Sequence, residues 1–416
     1  MLAPACAGFG GGGTESSANR LVFSHGPEES GALKQLLDQF NKTHDFEVVW
    51  QVAPADTGAY FDKLRTQFQA QGGPDVISGD VIWPAQFGYN GWVLDLSDLF
   101  DEQMASQFLS GPIQAVTYKG KRYAVPWFTD AGMLYYRKDL LQKSGFNSPP
   151  KTYDELMSMA KKVKADSGTK FGDVFQGANY EGGVCNAAEF IWGAGGNILA
   201  PNNPSKVVID SPQATTGLAT ERSLLTGGVA PDAVVSYTEQ QSHTAFLNGQ
   251  SVFMRNWPYV IGLAADPSQS NIKPSQLGVA PLPTTGSGQV GYSTLGGWNL
   301  FINANIDSAK RGKAWQFIKF MASPQAAKVR AIKGGFLSPL KASYEDKQLV
   351  SQVPTIALAR QIRDQIRPRP VSPFYSDISL KMQEAFNNNL KGETSPSETT
   401  SALEQQIKTI VQEGTG

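Results

Sequence analysis

Between Leu21 and Ser78 the chain alternates strand-like and helix-like segments, and this alternation restricts the fold more than any other feature. Leu21-Val22-Phe23 reads as a short strand, Leu33, Leu36, Leu37 and Phe40 fall at helical spacing, and Phe46 to Val52 alternates like a second strand. Tyr60, Leu64 and Phe68 mark another helix, and Pro74-Asp75-Val76-Ile77-Ser78 starts a third strand. Such a run predicts an α/β unit with a parallel sheet, right-handed crossovers and helices on both faces. In open sheets of this kind ligands collect beyond the carboxyl ends of strands. Glu29, just after the first strand, and Asp80, just after the third, fall in that place.

Further along, Tyr123 to Pro126 alternates again and runs into Trp127-Phe128-Thr129-Asp130. Thr152-Tyr153-Asp154-Glu155 has the form of a capping box ahead of a helix with Leu156, Met159 or Ala160, and Val163 on its buried stripe. Ala314 to Met321 makes an apolar helix, which Ser323-Pro324 ends and restarts, and a last helix is expected from Ser397. The length of 416 residues allows two or three folding units, and no internal repeat points to a solenoid or propeller.

Charge and motifs exclude several functions. With Lys+Arg 36 against Asp+Glu 37 there is no basic field to collect phosphates, so nucleic acid is not an expected partner. His25, His44 and His243 have no metal-ligand spacing, and His25 is expected in an exposed loop. No nucleophile elbow, phosphate-cradling loop or dinucleotide turn is present, and neither a metal nor a cofactor is expected. Cys6 and Cys185 are the only cysteines, which argues against a disulfide framework and for a buried free thiol at Cys185.

What remains are aromatic residues beside charged ones at segment boundaries. The groups are Asp80-Val81-Ile82-Trp83, Trp127 to Asp130, Asn256-Trp257-Pro258-Tyr259, Gly296-Gly297-Trp298, and Arg367 to Pro370 followed by Phe374-Tyr375. A pyranose shows apolar C–H groups on its face and hydroxyls around its edge. An aromatic ring suits the first, and a carboxylate or a guanidinium fork suits the second.

These segments recur in an order that resembles the solute-binding proteins of carbohydrate ABC importers, nearest to the trehalose/maltose-binding proteins. The motifs are Pro74-Asp75-Val76 with Asp80 to Trp83, Thr129 to Leu140, Phe253 to Tyr259, Thr294 to Trp298, and Arg369 to Tyr375, and the likeness runs from about Arg20 onward. It implies a two-lobe periplasmic-binding-protein fold of type II, each lobe a mixed, mostly parallel sheet flanked by helices. The expected lobes are 20–129 plus 301–333 and 130–300 plus 334–416, with crossings near Asp130, Trp298 and Gly334-Gly335.

The resemblance also implies site roles. Glu29, Asp80 and Asp130 correspond to hydroxyl-binding carboxylates; Trp257, Tyr259, Trp298 and Tyr375 to stacking and packing aromatics; Gly297 to a backbone contact; and Arg369 to a sugar donor. Phe128, Tyr60 and Glu181 are further candidate contacts. Two departures stand out: Ala59-Tyr60 replaces a sugar-contacting Arg, and Phe128 replaces a Tyr two residues before Asp130. Each loses a polar contact, and a charged hydrogen bond is worth about 1.5–3 kcal/mol.

The resulting expectation is a monomeric receptor that delivers a disaccharide of the trehalose or maltose class to membrane permease subunits without breaking a bond. Another di- or oligosaccharide is the alternative ligand. A glycoside hydrolase and a surface adhesin are rival readings, since paired carboxylates and aromatic walls also describe their clefts. At the N-terminus, small residues before Cys6 and the Gly/Ser run after it resemble the end of a bacterial lipoprotein signal. That makes Cys6 the expected lipidation site, 1–19 a disordered tether, and the lipid the sole attachment to the cell membrane.

Overall fold

The computed structural model describes residues 18–28, 30–200, 203–286 and 291–413, so Cys6 and Glu29 lie outside the described residues. Strands β1 (Arg20–His25), β2 (Glu47–Val52) and β3 (Val76–Asp80) form as the alternation predicts, with β1 parallel to both neighbours. The helix Ala32–Thr43 buries Leu33, Leu36, Leu37 and Phe40, and the helix Thr57–Gln69 buries Tyr60, Phe61, Leu64 and Phe68. Asp56 caps the second helix, its carboxylate accepting from the Ala59 N–H at 2.7 Å. Burying one large apolar side chain stabilises by about 1.5–3 kcal/mol, so these stripes fix which face each helix turns to the sheet.

Further strands are β4 (Val125–Ala131), β5 (Met133–Arg137), β6 (Phe171–Val174), β7 (Ser251–Asn256), β8 (Leu277–Ala280), β9 (Ser293–Ile302) and β10 (Ile366–Arg367). The first sheet runs β10-β9-β3-β1-β2, with β4 also paired to β9. The second runs β8-β5-β7-β6. Both are mixed, but the expectation of mostly parallel pairing fails in the second sheet. There β5 is antiparallel to both β7 and β8, and only β7 and β6 are parallel. Strand β9 is likewise antiparallel to β3 and β4. These partners are brought together by long excursions through other elements, so the local alternation that reveals a crossover unit carries no trace of them.

Helices pack on both sheets. Phe23, Phe40, Leu300, Phe317 and Ile318 share one core around the first sheet. Strand β5 turns Met133 and Tyr135 into one core of the second sheet and Leu134 into another, following the period of two. A separate cluster, with Val184, Ile191, Leu218, Phe386 and Leu403, is built between helices Glu181–Gly193, Pro212–Thr226, Tyr375–Lys391 and Pro396–Glu413.

The helix starts follow the sequence with small differences. Thr152 accepts from the Glu155 N–H at 3.1 Å, but Glu155 reaches back to the Lys151 N–H at 2.7 Å, one residue earlier than a capping box requires. The last helix begins at Pro396, with Ser395 rather than Ser397 accepting from the Glu398 N–H at 3.3 Å. No helix among the described residues is long and apolar enough to cross a membrane.

Candidate functional site

A single residue, Gly132, separates β4 in the first sheet from β5 in the second, and the site is built beside this passage. Strand β9 lies between β3 and β4 in a register that sets Trp298 against Asp80, Gly297 against Thr129 and Gly296 against Asp130. Two carboxylates from distant sequence are thereby brought to either side of one short segment. Gly297 has φ +109, and a Cβ there would sit 2.3 Å from the Phe128 carbonyl oxygen. Both the conformation and the space demand glycine. A Cβ on Gly296 would meet the Trp257 ring at 2.9 Å and the Asp130 Cβ at 3.1 Å, so its absence lets Trp257 approach the same strand.

Burial governs the carboxyls. It lifts the Asp80 pKa, although the Arg369 guanidinium opposes the shift. It lifts Asp130 well above the usual carboxylate range, with the charge of Asp80 adding to the effect. Asp130 Oδ1 is buried without a hydrogen-bond partner among the described residues. An acceptor held dry in this way is costly unless a ligand completes it.

Arg369 is 4% exposed and joins several elements. Its Nη2 donates to Asp80 Oδ1 at 3.2 Å and its Nη1 to Glu181 Oε1 at 2.5 Å. Glu181, at the start of its helix, also accepts from the Tyr375 hydroxyl at 2.7 Å and from Ser379. Tyr375 is buried in the helical cluster, so it supports Arg369 and Glu181 from behind rather than presenting a ring face.

The aromatic residues separate into open and covered ones. Trp298, Trp257 and Tyr259 are half-buried, whereas Phe128 packs against Trp127 and Phe336. Tyr60 is fully buried beneath Trp298, the rings 6.0 Å apart and 17° from parallel, and its hydroxyl donates to Ser24 Oγ at 2.8 Å. It thus serves as a floor for Trp298. The Tyr259 hydroxyl lies 2.8 Å from His243 Nδ1.

His25 does not occupy an exposed loop. It ends β1 with Nδ1 2.7 Å from Ser78 Oγ, beneath Trp127 and Trp298, and burial, aided by the charge of Arg330, pushes its pKa down to about 3. The two tryptophans that cover it come from remote segments, which is why its neighbours in sequence misled. Cys185 is a buried free thiol, with its pKa pushed up by burial. No group of His, Cys, Asp and Glu among the described residues could hold a metal ion.

Several polar residues of the site escaped sequence reasoning. Arg255 forms a two-pronged pair with Glu189, Nε to Oε2 at 2.8 Å and Nη2 to Oε1 at 2.6 Å, and donates to Gln176 at 2.9 Å. Its guanidinium also lies over the Trp257 ring, 4.0 Å from the centroid. Glu189 was detectable in principle as the lone acid in the middle of an otherwise buried, largely apolar helix, Glu181–Gly193. Glu239, which accepts from the Trp257 indole N–H at 3.2 Å, offered no signal.

Two mixed sheets with helical layers, joined by a one-residue passage and flanked there by carboxylates, a guanidinium and half-open rings, define an α/β periplasmic-binding-protein fold. The chain belongs to the bacterial extracellular solute-binding proteins, whose family model matches residues 26–328. It is 36% identical over 344 residues to a probable ABC transporter-binding protein of Deinococcus radiodurans, covering 81% of this chain and 80% of that one. The maltose-bound MalE3 of T. maritima superposes with a TM-score of 0.88 at 36% identity, over 94% of this chain and 99% of that one. A solute-binding protein of Thermotoga lettingae bound with α-D-tagatose gives 0.84 at 25% identity, over 94% and 100%. The family binds solutes and is not enzymatic, which removes the hydrolase reading.

Proposed function

We propose that this chain is the receptor of an ABC sugar importer and binds a disaccharide of the maltose or trehalose class where the two sheets meet. The observation that carries this reading is the register of β9, which gathers Asp80, Asp130 and Trp298 around one glycine-opened segment that Trp257 also approaches. In this reading Asp80, Asp130 and Arg369 bind hydroxyls and Trp257, Tyr259 and Trp298 cover apolar sugar faces, with Gly297 offering backbone and Glu29 a further carboxylate. The 36% identity to a maltose-bound protein favours an α-glucoside over other sugars.

The lobes in this reading are 20–129 plus 301–333 and 130–300 plus 334–416. Contacts made from both lobes favour the closed state, and the differential affinity for that state drives closure. A micromolar affinity corresponds to about −8.2 kcal/mol, within reach of several charge-assisted bonds and covered rings. Closure presents the sugar to permease subunits, while lipid on Cys6 keeps the monomer at the outer face of the membrane.

The test is a thermal-shift and calorimetric screen of mono-, di- and trisaccharides. Maltose or trehalose should raise the melting temperature and give a binding heat, and Asp130→Ala or Trp257→Ala should abolish both. No response to any sugar would refute the receptor reading. Retained binding in both variants would refute the site. Palmitate labelling that persists in Cys6→Ser would refute the anchor.

A further inference from the structure

Trp257 is held by more than its own strand end. Its indole N–H donates to Glu239 Oε1 at 3.2 Å, while Glu239 Oε2 accepts from the Tyr180 hydroxyl at 2.7 Å. Glu239 is the first residue of the helix Glu239–Leu247, where the unpaired N–H groups of the first turn favour a negative charge. Its backbone is tied to the same place, since the Glu239 carbonyl accepts from Asn256 Nδ2 at 3.3 Å, one residue before Trp257. Gly182 leaves room for this arrangement: a Cβ there would lie 2.2 Å from the Tyr180 hydroxyl oxygen and 2.8 Å from Glu239 Oε1.

An indole ring on a single-bonded side chain can turn about two torsions. Arg255, 4.0 Å from the ring centroid, restricts one face, and Gly296 admits the edge of the six-membered ring, Cζ3 and Cη2. The guanidinium does not choose between the two ways the ring can point its N–H, and Gly296 favours one of them only through the van der Waals fit of the six-membered ring. A charge-assisted acceptor does choose, because only one orientation satisfies both the indole and the carboxylate.

We infer that Glu239 is a positioning residue for sugar binding, which fixes the Trp257 ring through its indole N–H and is itself fixed by Tyr180. This rests on the reading of the site as a sugar site, but its first consequence does not involve sugar. In the ligand-free protein, the indole N–H resonance of Trp257, assigned by its loss in Trp257→Phe, should be slow to exchange with solvent. Glu239→Ala should shift it and speed its exchange at least tenfold, whereas Glu239→Gln, which keeps an acceptor, should change the exchange by no more than about threefold. An unmoved resonance in Glu239→Ala would overturn the assignment whether or not any sugar binds.

The second consequence is a cycle measured with maltose. Glu239→Ala should weaken binding about tenfold and Glu239→Gln about twofold, while adding Glu239→Ala to Trp257→Phe should change affinity less than twofold. Loss that persists at full size in the Trp257→Phe background would show that Glu239 acts independently of the ring and would overturn the inference. Failure of the wild-type chain to bind maltose would instead count against the sugar reading, with the resonance experiment still deciding the role of Glu239.

Discussion

Replacing Glu189 with Ala strips a buried guanidinium of its partner. Glu189 accepts from Arg255 Nε at 2.8 Å and Nη2 at 2.6 Å, and its Oε1 also accepts the backbone N–H of Thr294, at the start of β9, at 2.9 Å. The Arg255 and Glu189 side chains are 5% and 2% exposed, so water does little to screen the pair. Burial pushes the Arg255 pKa down, and the charge and hydrogen bonds of Glu189 more than offset it. Removing one member of such a pair costs about 3–5 kcal/mol, because the other charge stays behind unpaired. Unfolding entropy of about 2.1 cal/mol/K per residue gives about 0.9 kcal/mol/K for a chain of this length. The melting temperature of the ligand-free protein should therefore fall by about 3–6 °C in a calorimetric scan. Glu189→Leu combined with Arg255→Met should lose less than Glu189→Ala, since no charge is left behind. A melting temperature of Glu189→Ala within about 1 °C of wild type, or a larger loss in the double variant, would refute the reasoning.

Gly297→Ala should cost about 2–4 kcal/mol, since the position combines φ +109 with a Cβ 2.3 Å from a carbonyl oxygen, and denaturant melts would show it. Above about pH 6.5, stability should also fall with rising pH. Burial pushes Glu221 up to about 8 from an ordinary value of 4.5 and Asp173 up to about 7 from 3.8, so the folded chain holds protons that the unfolded chain releases. That contribution is complete at acid pH and is lost as pH rises through about 7 to 8. Below about pH 6.5 the buried His25 and the half-buried His243, their pKa values pushed down to about 3 and about 4, act in the opposite direction. Melting curves between pH 6.5 and pH 9 should therefore show the decline, and Glu221→Gln should flatten part of it; an unchanged slope would assign the decline to other groups.

The part of the fold legible in sequence was the part held together locally. Strands β1 to β3 and their two helices announce themselves because each helix buries a continuous stripe such as Leu33-Leu36-Leu37-Phe40 against a neighbouring strand. The antiparallel pairing of β5 with β7 and β8 was hidden because both partners lie far from β5 in the chain, and because β5 and β7 are buried on both faces, so neither alternation nor turn chemistry records their direction. In the site, Asp80 and Asp130 were legible as charges at segment boundaries, while Gly297 entered only through the family resemblance and the strand that it opens was not foreseen. The pairs that hold the site, Arg255 with Glu189 and Trp257 with Glu239, join residues from different elements, and only the folded backbone brings them together. His25 was misread for the same reason, since its cover comes from Trp127 and Trp298.

The central claim is that carboxylates and rings contributed by distant segments enclose one small carbohydrate beside β9. A crystal structure of the chain grown with maltose addresses it most directly. The sugar should lie with hydroxyls on Asp80 and Asp130 and a ring face against Trp257 or Trp298. Maltose bound elsewhere, with Asp130 Oδ1 still unpartnered, would contradict the claim.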